Sequence, residues 1–192
     1  MDFPNSALII IDVQNDFCPG GALAVERGDE IIGPLNRLAA LFAASGGRVI
    51  ATQDWHPQGH ASFAIWPEHC VQGSRGADFH SALDLKPVNL ILRKGFRKGL
   101  DSYSAFFEND KKTSTGLDGC LKTLSIGTVV LGGLATDYCV LASALDAAEL
   151  GYRTIVLSDA IRGVNIPDNS VEKALKTMEE AGVIFATAEE IK

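Results

Sequence analysis

The sequence predicts an α/β fold: a mostly parallel sheet of about six strands with helices on both faces, in a three-layer Rossmann-like arrangement. Two observations carry this. Short runs rich in Val, Ile and Leu recur along the chain, as expected of strands buried on both faces. Between several of them lie segments with apolar residues at helical spacing, and such alternation builds parallel sheets with right-handed crossovers. A chain of 192 residues fits one domain, expected to span residues 1–192.

The first strand is expected at Ala7–Asp12 and the second at Arg48–Gln53. Between them, Ile31, Leu35, Leu38 and Phe42 mark one face of a helix over Asp29–Ser45. Pro34 is tolerated near its start, and Gly46-Gly47 ends it. The third strand is expected at Val88–Arg93 and the fourth at Thr128–Leu134, with a short helix over Leu117–Leu124. Asp137–Leu150 reads as a helix stopped by Gly151, and Asp168–Ala181 as another stopped by Gly182. Tyr152–Ser158 and Val183–Thr187 supply the last two strands. The stretch Asp54–Pro87 has neither period and holds all four histidines. Loops of that length inside a compact domain are usually functional.

Composition excludes several classes of function. The net charge of −7 lacks the basic footprint that nucleic acid or a membrane surface demands. No G-x-G-x-x-G follows a strand and no G-x-x-x-x-G-K-[ST] is present, so no nucleotide cofactor is expected. The apolar run Ala7–Ile11 is too short for a signal-peptide core and no segment approaches a membrane span. A cytoplasmic protein is expected, its four cysteines free thiols. Homo-oligomerisation is left open.

Ligands of open α/β sheets bind beyond the carboxyl ends of the strands. Asp12 follows the first strand, Asp54-Trp55-His56 the second, Lys94-Gly95 the third and Ala135-Thr136-Asp137-Tyr138-Cys139 the fourth. An acid, a metal-ligand pair, a lysine and a cysteine should thus converge on one edge. Cys139 falls in the first turn of a helix. There the dipole and a nearby ammonium lower a thiol pKa, and unpaired N–H groups can hold an oxyanion. Cys120, in mid-helix, reads as an inert thiol. Asp12 is placed to act as the base for Cys139. Position alone leaves Lys94 equally a site lysine or a surface one. Asp54 and His56 fit a mixed carboxylate–imidazole site for Zn²⁺, Mn²⁺ or Fe²⁺, with His60 and His69 as further candidates. His80 reads as an ordinary loop residue, and Arg97 and Lys98 as surface.

The chain resembles the nicotinamidases (pyrazinamidases) of the isochorismatase-like cysteine hydrolases. The resemblance rests on Ile11-Asp12-Val13-Gln14-Asn15-Asp16-Phe17-Cys18, Gln53-Asp54-Trp55-His56-Pro57, Trp66-Pro67-Glu68-His69-Cys70-Val71 and Arg93-Lys94-Gly95. It continues through Asp101-Ser102-Tyr103-Ser104-Ala105-Phe106-Phe107, Gly133-Leu134-Ala135-Thr136-Asp137-Tyr138-Cys139-Val140 and Arg162-Gly163-Val164-Asn165. It implies a catalytic triad of Asp12, Lys94 and Cys139. It also implies one divalent metal ion on Asp54, His56 and His69, with His60 a ligand in some members only. Phe17 and Trp66 would flank a pyridine ring, Tyr103 would lie near the pocket, and a cis Leu134–Ala135 peptide would aim the Ala135 N–H at an oxyanion. The implied reaction hydrolyses a small-molecule amide: nicotinamide, or pyrazinamide, to the acid and ammonia through a Cys139 thioester, in NAD salvage. Attack by a metal-activated water is the alternative chemistry. Another amidase of this fold, or a non-catalytic metal- or redox-sensing protein, is the alternative function.

Overall fold

Leu8 and Ile10 of the first strand point to one side of the sheet and Ala7, Ile9 and Ile11 to the other, and all five are fully buried. That two-faced burial explains the unbroken apolar runs of the sequence. The computed structural model describes residues 1–192. Its strands are β1 (Ser6–Ile11), β2 (Arg48–Asp54), β3 (Leu90–Lys94), β4 (Thr128–Leu134), β5 (Arg153–Arg162) and β6 (Ile184–Ala186). All pair in parallel, in the order β3-β2-β1-β4-β5-β6.

Helix α1 (Ile32–Ala44) covers one face through Leu35, Leu38, Ala39 and Phe42. Burying a Leu or Phe side chain contributes on the order of 1.5–3 kcal/mol, so α1 is held by its stripe rather than by its caps. Helices α2 (Leu117–Thr123), α3 (Leu141–Glu149) and α4 (Ser170–Glu180) lie on the opposite face, where Leu117, Leu121, Ala144, Ala147 and Met178 meet Ile9, Ile11 and Val129. The three layers match the expected architecture.

The observed elements differ from expectation mainly at their ends. The predicted Asp29–Ser45 helix divides into a 3₁₀ turn at Gly28–Ile31 followed by α1. The predicted Asp137–Leu150 helix opens instead with a π-helical turn, Thr136–Val140. Strand β5 runs on to Arg162 because its pairing with β4 resumes beyond an irregularity, at Gly133–Ile161 and Leu134–Arg162. The Asp54–Pro87 stretch holds a 3₁₀ turn, Ala61–Ala64, and two isolated bridges, His56 to Val71 and Phe79 to Gln14. All four cysteines are unpaired. No helix is long and apolar enough to cross a membrane.

Strand order reverses at β1, which has β2 on one side and β4 on the other. The crevice beyond the carboxyl ends at such a switch point is where this architecture binds ligands.

Candidate active site

Asp12 leaves β1 in a left-handed conformation (φ 50°). Asp54 and Lys94 close β2 and β3 and are register partners across the two strands. Cys139 sits in the π-helical turn that follows β4, and such turns gather at functional sites. Lys94 is wholly buried at the centre. Its Nζ lies 2.8 Å from Oδ2 of Asp12, 2.5 Å from Oδ1 of Asp54, 2.8 Å from the Ser102 carbonyl and 3.6 Å from Sγ of Cys139. The lysine that position alone left undecided is therefore the hub of the site. Thr52 completes the Asp12 environment: its hydroxyl donates to Oδ1 at 2.6 Å.

One ammonium faces two carboxylates and a thiol, all out of water. Burial works against the Lys94 charge, but Asp12 and Asp54 outweigh it and hold its pKa well above the usual value. Burial raises the pKa of Asp12, and Lys94 only partly offsets this. For Asp54, burial is overcome by Lys94 and His56, and its pKa falls. The Cys139 thiol is pushed well above its usual range, because burial and the two carboxylates outweigh Lys94. This reverses the expectation from the helix dipole and a single ammonium. A thiolate would add a second net negative charge to the buried trio of Asp12, Asp54 and Lys94, which favours the thiol.

Ligand atoms of Asp54, His56 and His69 lie within 4.8 Å of one another, all on buried residues. The His56 Nδ1–H donates to the Gly95 carbonyl at 2.8 Å, and the His69 Nδ1–H to the Pro67 carbonyl at 2.7 Å. Each bond fixes the tautomer that leaves Nε2 with a lone pair, the arrangement found around metal-bound imidazoles. Nε2 of His56 is buried, lacks a hydrogen-bond partner and stands 3.6 Å from Oδ2 of Asp54. An orphaned imidazole nitrogen beside a carboxylate fits a divalent cation. Burial opposes a charge on His56, yet Asp54 raises its pKa, and the same field would hold a metal.

His60 stacks on His56, with ring centroids 4.2 Å apart. Its ligand atom also gathers with those of His56 and Asp101. However, its Nε2 faces the carbonyls of Arg97 and Leu100 at 3.0 and 3.3 Å, and its Nδ1 accepts from the Ser62 N–H. Facing two acceptors, Nε2 must carry the proton. His60 therefore offers no free lone pair in this arrangement and braces His56 instead. His80 makes an ordinary loop bond, accepting from the Ala82 N–H.

A cavity open to solvent runs from this cluster between Phe17, Trp66, Tyr103, Ala135, Cys139 and His69. The Phe17 ring lies 5.6 Å from that of His69. The Trp66 indole N–H donates to the Tyr103 hydroxyl at 3.1 Å, and both rings pack edge-on against Tyr138. The Leu134–Ala135 peptide is cis. Sequence reasoning missed Asp101, Leu23, Tyr138 and Val164, which complete the lining. Three of these four stand in the matched motifs, so the signal was adjacency to named residues. It also missed Gln14, whose side-chain amide pairs with both the N–H and the carbonyl of Asp54, each at 2.8 Å.

The isochorismatase domain model matches residues 6–190. The chain belongs to the isochorismatase family. A nicotinamidase of Escherichia coli (strain K12) is 42% identical to this isochorismatase-family chain over 203 residues, covering 96% of it and 95% of the relative. A nicotinamidase/pyrazinamidase structure from Acinetobacter baumanii superposes with a TM-score of 0.94 at 43% identity, covering 98% of this chain and 99% of that one. The pyrazinamidase of Pyrococcus horikoshii in complex with zinc superposes with a TM-score of 0.87 at 37% identity, covering 96% and 99%. Among isochorismatase-family folds, this chain is thus similar to amidases, one of which is described with zinc.

Proposed function

We propose that this protein is a metal-dependent cysteine amidohydrolase that converts nicotinamide to nicotinate and ammonia, and pyrazinamide likewise. The observation that carries the reading is the meeting of two sets of residues in one small aromatic cavity. Cys139 lines it, with Lys94 and Asp12 bonded behind the thiol, and Asp54 and His69 line it, with His56 gathered beside them. The similarity to nicotinamidases supports the choice of a pyridine carboxamide. Asp54, His56 and His69 would hold one divalent ion, zinc, iron or manganese, whose Lewis acidity would orient an electron-rich ring nitrogen.

In the reaction, Asp12 takes the thiol proton as Sγ attacks the amide carbon. The negative charge passes from Asp12 to sulfur, and Lys94, within reach of both, stays paired throughout. The N–H groups of Ala135 and Cys139 receive the oxyanion, in the manner of the preorganised donors of acyl-transfer sites. Asp12 then gives its proton to the amide nitrogen, the C–N bond breaks and ammonia leaves a thioester. Water attacks the thioester while Asp12 accepts its proton, which returns to the departing sulfur. Phe17, Trp66 and Tyr103 clamp the ring so that the amide stays over Cys139.

Ammonia release from nicotinamide, pyrazinamide and benzamide tests the reading. Turnover of the first two and little of benzamide, which lacks the ring nitrogen, is expected. An enzyme inert to nicotinamide would reject it.

A further inference from the structure

The motif Arg162-Gly163-Val164-Asn165 supplies nothing to the chemistry above, yet one carboxylate of the nucleophile turn makes three bonds to its loop and the residues after it. Oδ1 of Asp137 accepts the Val164 N–H at 3.0 Å. Oδ2 accepts the Asn165 N–H at 2.9 Å and the Ser170 hydroxyl at 2.5 Å. Asp137 is buried, with 8% exposure. An acid near a helix start ordinarily serves its own turn. Here both oxygens reach instead to residues 27 to 33 positions away. Bonds to an ionised acceptor are roughly twice as strong as neutral ones.

The loop is docked as closely as a backbone allows. A Cβ on Gly163 would stand 2.2 Å from Cγ2 of Val171 and 3.0 Å from Oδ1 of Asp137. Asn165 turns the chain at φ 56°, and the Tyr138 hydroxyl donates to the Ile166 carbonyl. The side chain delivered by this docking is Val164, which lines the cavity beside Tyr138 and Cys139. Asp137 itself does not line it.

We propose that Asp137 is a positioning residue for specificity: it fixes Val164 as a wall that limits the size of the ring the cavity accepts. The proposal rests on the pyridine-carboxamide reading. Asp137→Asn keeps the size of the side chain but faces one of the two amide N–H groups with a donor. Val164→Ala opens the wall without touching the tether.

The test measures kcat/KM for nicotinamide and for nicotinamides carrying one methyl group at each ring carbon. For at least one methyl isomer, the ratio to nicotinamide should rise about tenfold in both variants, the scale of one methylene in an apolar pocket. In Asp137→Asn, KM for nicotinamide should rise more than kcat falls, and hydrogen exchange at Val164 and Asn165 should quicken. A ratio that moves in Val164→Ala but not in Asp137→Asn overturns the role of Asp137. A ratio unmoved in both overturns the wall. Should Asp137→Asn fail to fold, Ser170→Ala removes one bond of the three and should shift the ratio about threefold; an unchanged ratio there overturns the proposal. A wild-type enzyme inert to nicotinamide rejects the substrate reading itself. An active enzyme with unmoved ratios rejects only the wall.

Discussion

Asp54 serves two sites with one carboxylate: Oδ1 lies 2.5 Å from Nζ of Lys94, and Oδ2 lies 3.6 Å from Nε2 of His56. The Lys94 ammonium and the proposed metal-ligand cluster are therefore neighbours through a single side chain. Asp54→Asn should weaken metal binding and lower turnover together, because the amide offers a metal a poorer ligand and Lys94 no counter-charge. Metal content by elemental analysis and kcat on the same preparation check this. Full metal loading with normal kcat would contradict both roles, and loss of one alone would separate them.

Lys94→Ala leaves Asp12 and Asp54 buried without their shared cation. Breaking a buried pair by removing one partner costs about 3–5 kcal/mol. Part of that cost is relieved if one carboxylate takes a proton. Denaturant unfolding should show the loss, and turnover should fall by about 10²–10³-fold, through lost pairing of the developing thiolate. Stability within about 0.5 kcal/mol of wild type, the usual size of surface effects, would contradict the burial argument.

The pH profile follows from Asp12. Burial raises its pKa despite Lys94, and it must be ionised to take the thiol proton. Activity is therefore present above that pKa and lost as pH falls through it. The acid limb of kcat/KM should lie above the ordinary carboxylate value of about 4. Asp12→Asn should abolish turnover rather than shift the limb.

Gly95 leaves room for the His56 ring, a proposed metal ligand, by having no side chain. A Cβ there would stand 2.6 Å from Cε1 of His56, and its φ of 63° disfavours alanine as well. Gly95→Ala should therefore tilt the ring and weaken metal affinity by about 10–100-fold, as other supporting-residue changes do. Competition with a chelator measures it. In the wild type, exhaustive chelation should abolish activity and a divalent ion restore it. Full activity in a verified metal-free sample would overturn the metal's role.

Tyr103→Phe removes the acceptor for the Trp66 indole N–H. About 1 kcal/mol is at stake, so KM should rise about fivefold with kcat little changed. A fall in kcat alone would instead place Tyr103 at the reacting atoms.

Much of this was legible in the chain. Strand runs such as Ala7–Ile11 are apolar on every residue because both faces are covered, and the strand-end rule then gathered Asp12, Asp54, Lys94 and Cys139. Periodicity could not show that the helix holding Cys139 opens with a π turn, since this depends on how β4 delivers the chain. Nor could it give the upward shift of the thiol pKa, which comes from burial and from two carboxylates that only tertiary structure brings beside Lys94. Gln14, Thr52 and Asp137 act through hydrogen bonds to residues 27 to 40 positions away, and no local pattern records such partners.

The central claim is that Cys139 attacks the amide. Turnover of nicotinamide by metal-loaded Cys139→Ala tests it most directly. A loss of at least about 10³-fold is expected, as for other nucleophile removals, with metal content and nicotinate binding retained. Near-normal turnover by that variant would contradict it.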